Sequence, residues 1–276
     1  MRTQADRLLR EAAAYGRFPT PVKDIVAAAK LKIRPMEDLV PPEHENPEMI
    51  KRALSKLQGF LDRRDRTIYL CKSLHTLRRK SLSLHEVAHD YLPDQRLLFE
   101  ILEESEQELD DGTRDLFERS ANCFASDVHF QLDCFNQAAR DVEFGIAEPV
   151  KKLTKMYGAG NYSTLRRYID ACGKPAALLV CDIDPTDREK LTVRRFVSSA
   201  DFKKKVGNVN WPDVFAGDSW FVANRPRNVF ALPNVHIIQN TKHAKVPCYV
   251  EGFDSTRQVF FLIYPVADRF APVLAA

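Results

Sequence analysis

The chain has 276 residues, 45% of them hydrophobic and 29% charged, and a formal net charge of +3. This is ordinary globular usage, and it excludes disordered, collagen-like and disulfide-dense classes. The length suits two or three domains, and the small positive balance does not by itself imply nucleic acid.

The six cysteines, Cys71, Cys123, Cys134, Cys172, Cys181 and Cys248, include no Cys-x-x-Cys pair. They read as reduced thiols rather than a zinc ribbon or a disulfide framework. Residues 1–18 are charged throughout, without the apolar core of a signal peptide, and no run of about 18 apolar residues occurs. A cytoplasmic protein with no membrane partner is therefore expected. The basic clusters Arg78-Arg79-Lys80 and Lys203-Lys204-Lys205 read as solvated faces.

In chain order, helical spacing appears first at Ala5, Leu8, Leu9 and Ala12, and Pro21 can open a second helix through Val22, Ile25, Val26 and Ala29. The proline-rich stretch 41–49 predicts a surface connection. Gly59–Asp62 and Arg66–Leu70, separated by Arg63-Arg64-Asp65, predict a hairpin. Leu74, Leu77, Leu84, Ala88 and Tyr91 predict a helix that ends before Pro93. An acidic run, Glu103 to Asp111, reads as a solvated face or loop. Beyond Gly112 a long helix is predicted through Leu116, Phe117, Ala121, Phe124, Ala125 and Val128.

Two short helices follow, around Val150–Met156 and Thr164–Cys172, joined by a glycine-containing turn with a helix-turn-helix (HTH) shape. After Gly173-Lys174-Pro175 the texture turns to strands, at Ala177–Cys181, Trp220–Ala223, Val235–Gln239, Cys248–Gly252 and Val259–Val266. The expected fold class is α+β, divided at 1–136, 137–173 and 174–276.

The chemistry concentrates in His85-Glu86-Val87-Ala88-His89. On a helix, His85 and His89 lie on one face and can aim a ring nitrogen each at one zinc ion, with Glu86 beside it as general base. The small Ala88 would let a neighbouring segment pack closely. Chance yields this pattern in roughly one chain in a hundred of such length, so a third ligand is needed. Glu118 is the candidate, ahead of Glu103, Glu104, Glu106 and Glu108. Asn122, four residues on, shares its face and can support a ligating histidine. His129 shares that face too and is an oxyanion candidate, as are Tyr69 and Tyr91, although packing roles suit all three. Zinc is the expected metal, with manganese as the alternative.

With both blocks in place, HEVAH and Glu118-Arg119-Ser120-Ala121-Asn122-Cys123-Phe124-Ala125, residues 5–135 resemble the ImmA/IrrE-type metallopeptidases. The chain departs from that family's leucine-rich continuation at Ser126 to Gln131. The resemblance implies a gluzincin-like peptidase fold that cuts an HTH-type transcriptional repressor. The fuller layout, with an HTH-like middle segment and a C-terminal GAF-like sensor or interaction domain, is similar to the radiation and DNA-damage-response (IrrE) branch. The competing expectation is a non-proteolytic regulator that binds DNA or protein through 146–172, with Arg166 and Arg167 on its second helix and a merely structural metal.

Overall fold

The structure, a computed structural model, describes residues 2–39, 47–54, 56–105, 110–226 and 229–266. The chain is a mixed α+β protein that divides into two compact units, Met1–Cys134 with Met156–Gly158, and Phe135–Lys155 with Ala159–Ala276.

In the first unit, helices α1 (Arg2–Glu11) and α2 (Val22–Ala28) bury the expected Ala5, Leu8, Leu9, Val22, Ile25 and Val26, and α2 begins directly after Pro21. Strands β1 (Lys32–Pro35), β2 (Gly59–Asp62) and β3 (Thr67–Leu70) form a small sheet of order β1-β3-β2. The predicted hairpin is present as the antiparallel β2–β3 pair, while β1, which the sequence pattern did not reveal, runs parallel to β3. Gly59 leaves no room for a side chain: an added Cβ would sit 2.6 Å from Leu70 Cδ2 and 2.9 Å from Leu82 Cδ2. The connection expected at 41–49 lies outside the described residues as far as 46, and Pro47 begins a helix, α3 (Pro47–Leu54).

Helix α4 (Thr76–Tyr91) carries the HEVAH stretch and starts where His75 Nδ1 accepts the Leu77 N–H. Pro93 cannot continue it, having no N–H to donate, but suits the first turn of a new helix. The chain therefore turns at Leu92 into α5 (Pro93–Ser105), where the sequence suggested no helix. Helix α6 (Asp111–Phe130) is capped by the Asp110 carboxylate, which accepts the Thr113 N–H. It ends at Gln131 in a left-handed conformation. The Gln131 amide then binds the loop between α1 and α2, donating to the Ala14 and Arg17 carbonyls and accepting from the Gly16 N–H.

The core of this unit joins Leu8 and Leu9, Ile25, Ile68 and Leu70, Val87 and Ala88, and Ala121, Phe124 and Val128. At roughly 1.5–3 kcal/mol for each large apolar side chain buried, it is what holds α4 and α6 together. Both contribute alanines to it, Ala88 and Ala121, each fully buried.

The chain continues through α7 (Leu132–Asp141), a wide helical turn at Pro149–Leu153 that runs into α8 (Thr154–Tyr157), and α9 (Asn161–Ala171). The second unit holds an antiparallel sheet of order β6-β5-β4-β9-β8-β7. Its strands are β4 (Ala177–Ile183), β5 (Leu191–Ser198), β6 (Val214–Phe215), β7 (Phe230–Gln239), β8 (Lys245–Asp254) and β9 (Gln258–Pro265). Central β4 and β9 are buried on both faces. One face packs Leu179, Phe261 and Ile263 against Phe202 of α10 (Ala200–Lys205) and Phe221 of α11 (Trp220–Ala223). On the other, Phe144 stands between Tyr168 of α9 and Tyr264. Trp220–Ala223, expected as a strand, is the helix α11, because Ser219 Oγ accepts the Phe221 N–H and caps it. A four-residue apolar run does not reveal its period.

Candidate metal centre

Helix α4 brings His85 and His89 one turn apart, and their Nε2 atoms are 3.0 Å from each other. Glu118, on α6, reaches both: its Oε2 is 3.2 Å from His85 Nε2 and its Oε1 is 3.4 Å from His89 Nε2. Donors at ~2.0–2.1 Å from one tetrahedral ion stand roughly 3.3 Å apart, so this triangle has the size a single divalent metal requires. Two imidazoles and a carboxylate are also a donor set that zinc takes, and the residues therefore fit the ion. Glu118 is half exposed, which leaves the triangle open to water on one side.

Glu86, next to His85 on α4, is buried, with only 7% of its surface exposed, and its carboxyl lies within reach of the Glu118 charge. Burial pushes its carboxyl up to about 7; the nearby Glu118 charge adds to the rise, while Arg63 and a backbone hydrogen bond at Leu61 oppose it. An ionised carboxylate is costly to desolvate, which is why a proton is held so much more strongly here than in water. His89 is pushed in the direction that keeps its ring neutral, first by burial and then by the neighbouring His85.

Two further side chains that the sequence pattern did not suggest complete the surroundings. Gln95, 2% exposed, places its Oε1 2.7 Å from His89 Nδ1 and donates through Nε2 to the Phe117 carbonyl at 3.0 Å. The Arg63 guanidinium lies over the Phe99 ring, 3.7 Å from its centroid, and donates to the His89 carbonyl at 3.4 Å. Below the histidines, Asp90 is paired with Arg66, which also donates to the Ala29 carbonyl. That pair fixes α4 against the end of α2.

Of the other candidate residues, Asn122, His129, Tyr69 and Tyr91 lie outside the triangle, and the packing roles weighed for His129, Tyr69 and Tyr91 match their contacts. Asn122 is exposed on α6, and the partner of His89 is Gln95. His129 lies at the C-terminal end of α6, with its ring against Phe130 and a hydrogen bond to the Tyr157 backbone. Tyr69 is buried in β3 and stacks on Phe60. The Tyr91 hydroxyl donates to Glu11, and its ring packs on Phe124. Glu103 and Glu104 fall at the end of α5 with side chains outside the described residues, as Glu106 and Glu108 are altogether. Among the described residues, His85, His89 and Glu118 are the one group of three whose donor atoms could hold a metal, all within 4.8 Å of one another.

No protein-family model and no curated protein matches this sequence. Among solved structures, a Mycobacterium tuberculosis transcriptional regulator is similar across 96% of this chain and 76% of its own, with a TM-score of 0.54 and 12% identity. At that identity the likeness is one of fold. No helix among the described residues is long and apolar enough to cross a membrane.

Proposed function

We propose that the chain is a zinc-dependent, site-specific endopeptidase of the ImmA/IrrE type, which cuts an HTH-type transcriptional repressor and so releases a stress or DNA-damage response. The observation that carries this reading is the pairing of an open His85, His89 and Glu118 triangle with a buried, proton-holding carboxyl at Glu86. A structural zinc site is closed by four protein ligands, whereas a catalytic one has three and an open position. A purely structural site also has no use for a buried carboxyl beside it.

In this reading His85 Nε2, His89 Nε2 and a Glu118 oxygen hold zinc, with manganese as the alternative ion. Bound zinc supplies Lewis acidity, polarising a peptide carbonyl and making water a stronger acid. Glu86 takes a proton from the attacking water on a carboxylate oxygen and delivers it to the amide nitrogen. As the C–O bond forms and the C–N bond breaks, the nitrogen leaves as a neutral amine. The surroundings of Glu86 suit both halves of this transfer, since a base with a pKa near the working pH can accept and then release the proton. Residues 1–136 form the peptidase-like part in this proposal, 137–173 the HTH-like segment and 174–276 the GAF-like sensor or interaction part.

The fold likeness to a transcriptional regulator favours a second reading, a regulator that binds DNA or protein and uses its metal structurally. That comparison speaks more for the second reading than for the first; the geometry of the site speaks for the first. One experiment separates them. The zinc-loaded protein and its Glu86→Gln variant are incubated with HTH-type repressors encoded beside the gene. Cleavage by wild type, reduced at least about 100-fold in the variant, supports the peptidase. Salt-dependent, sequence-specific DNA binding that survives loss of His85, with no cleavage by wild type, supports the regulator.

A further inference from the structure

We propose that Gln95 is a positioning residue: it sets the tautomer and orientation of His89 and ties that ligand to the helix bearing Glu118. The proposal deepens the metal-centre reading and rests on it.

The argument follows the hydrogen-bond inventory of one buried amide. The Phe117 carbonyl can only accept, so the group facing it at 3.0 Å is the Gln95 NH2. The amide oxygen is then the atom 2.7 Å from His89 Nδ1. That oxygen can only accept, so Nδ1 carries the hydrogen. In a neutral imidazole only one nitrogen is protonated, which leaves Nε2 with its lone pair. Nε2 is the atom that faces His85 Nε2 at 3.0 Å and Glu118 Oε1 at 3.4 Å. The carbonyl thus dictates the amide, the amide dictates the tautomer, and the tautomer presents a donor atom to the metal.

The same side chain spans two elements. His89 is on α4, and Phe117 is the residue before Glu118 on α6. Gln95 comes from α5, which the Leu92-Pro93 turn folds back so that its third residue enters the gap. Gln95 is nearly sealed from solvent, so water does not substitute for it at His89. A partner on the second nitrogen of a metal-binding histidine is worth 10–100-fold in metal affinity. An uncharged amide provides this without adding a third carboxyl beside Glu86 and Glu118.

The test uses the full chain and two readouts. In metal-free protein at pH 8, with histidines labelled with nitrogen-15, long-range proton–nitrogen spectra report which nitrogen of His89 is protonated. Wild type is expected as the Nδ1–H form, and Gln95→Leu as a mixture or the other form. Zinc affinity, from competition with a chromophoric chelator, should weaken 10–100-fold in Gln95→Leu. Gln95→Glu keeps an acceptor toward His89 while losing the donor to Phe117; it should restore the Nδ1–H form and most of the affinity. That recovery is what a role in packing alone would not produce.

Unchanged tautomer and affinity in Gln95→Leu would overturn the proposal, as would equal losses in Gln95→Leu and Gln95→Glu. If wild type binds zinc but the His89 tautomer ignores Gln95, this proposal fails and the metal centre stands. If the tautomer behaves as stated but wild type binds no zinc, the metal reading fails, and the role of Gln95 toward a metal fails with it.

Discussion

The Arg63 guanidinium lies 3.7 Å from the centroid of the Phe99 ring, in the turn between β2 and β3, and its charge acts on Glu86. Stacking on the ring and the hydrogen bond to the His89 carbonyl hold the cation in place. It is therefore a fixed positive charge that works against the burial of Glu86, and it limits how far that carboxyl rises. Removing it has a definite sign. In metal-free Arg63→Leu, the Glu86 carboxyl should titrate above its wild-type value of about 7, read from the carboxyl carbon-13 shift. An unchanged or lower value would show that Arg63 does not act on Glu86.

The raised Glu86 pKa also has a stability consequence in the metal-free protein. Its folded value, about 7, lies above the unfolded one. The folded state thus holds the proton more tightly, and stability falls as pH rises from about 4.5 through 7. Glu86→Gln removes that dependence. It should be close to wild type in stability at pH 5 and about 2–3 kcal/mol more stable at pH 8, measured by urea unfolding after metal removal. A variant no more stable than wild type at pH 8 would count against the burial argument.

His129 carries the opposite dependence. Burial first, and the Lys80 charge second, push its ring down to about 4, so the folded protein keeps it neutral. Between pH 6.5 and 4 the unfolded chain binds the proton and the folded chain does not, and stability falls as pH falls through that window. From pH 7 to pH 5 the loss assigned to His129 is about 2 kcal/mol. Comparing His129→Gln with wild type isolates it: from pH 7 to pH 5 the stability of the variant relative to wild type should rise by about 2 kcal/mol, whatever the Glu86 contribution common to both.

Phe124, fully buried, packs on Tyr91 and belongs to the core that joins α4 to α6. Phe124→Ala should cost about 3–5 kcal/mol in unfolding free energy. Because both metal-bearing helices lean on this ring, zinc affinity should drop along with stability. Asn122→Ala, on the exposed side of the same helix, should change stability by less than about 0.5 kcal/mol.

How much of this was legible in the sequence depended on the range of the signal. The spacing of His85 and His89 is local and helical, and the Glu118 block lies on a strongly periodic helix; the structure brings all three together. The hairpin and the strands β7, β8 and β9 carried equally local patterns. Strand β5 was missed because Arg194 and Arg195 interrupt its apolar run. Helix α5 was missed because Pro93 reads as a stop, whereas a proline may also open the next helix. With α5 went Gln95, whose partners His89 and Phe117 lie on two other helices. No periodicity within one segment marks a residue chosen for what it meets in space. Asn122 was the sequence's candidate for that place because same-face spacing is all that one helix can reveal.

The central claim is a three-ligand metal centre, and zinc titration of the chelator-treated protein tests it most directly. Wild type should bind one equivalent of zinc. His85→Ala, His89→Ala and Glu118→Gln should each lose affinity by about 100-fold or more, since each removes one of only three protein ligands. Wild type that binds no zinc, or Glu118→Gln that binds as tightly as wild type, would contradict the account.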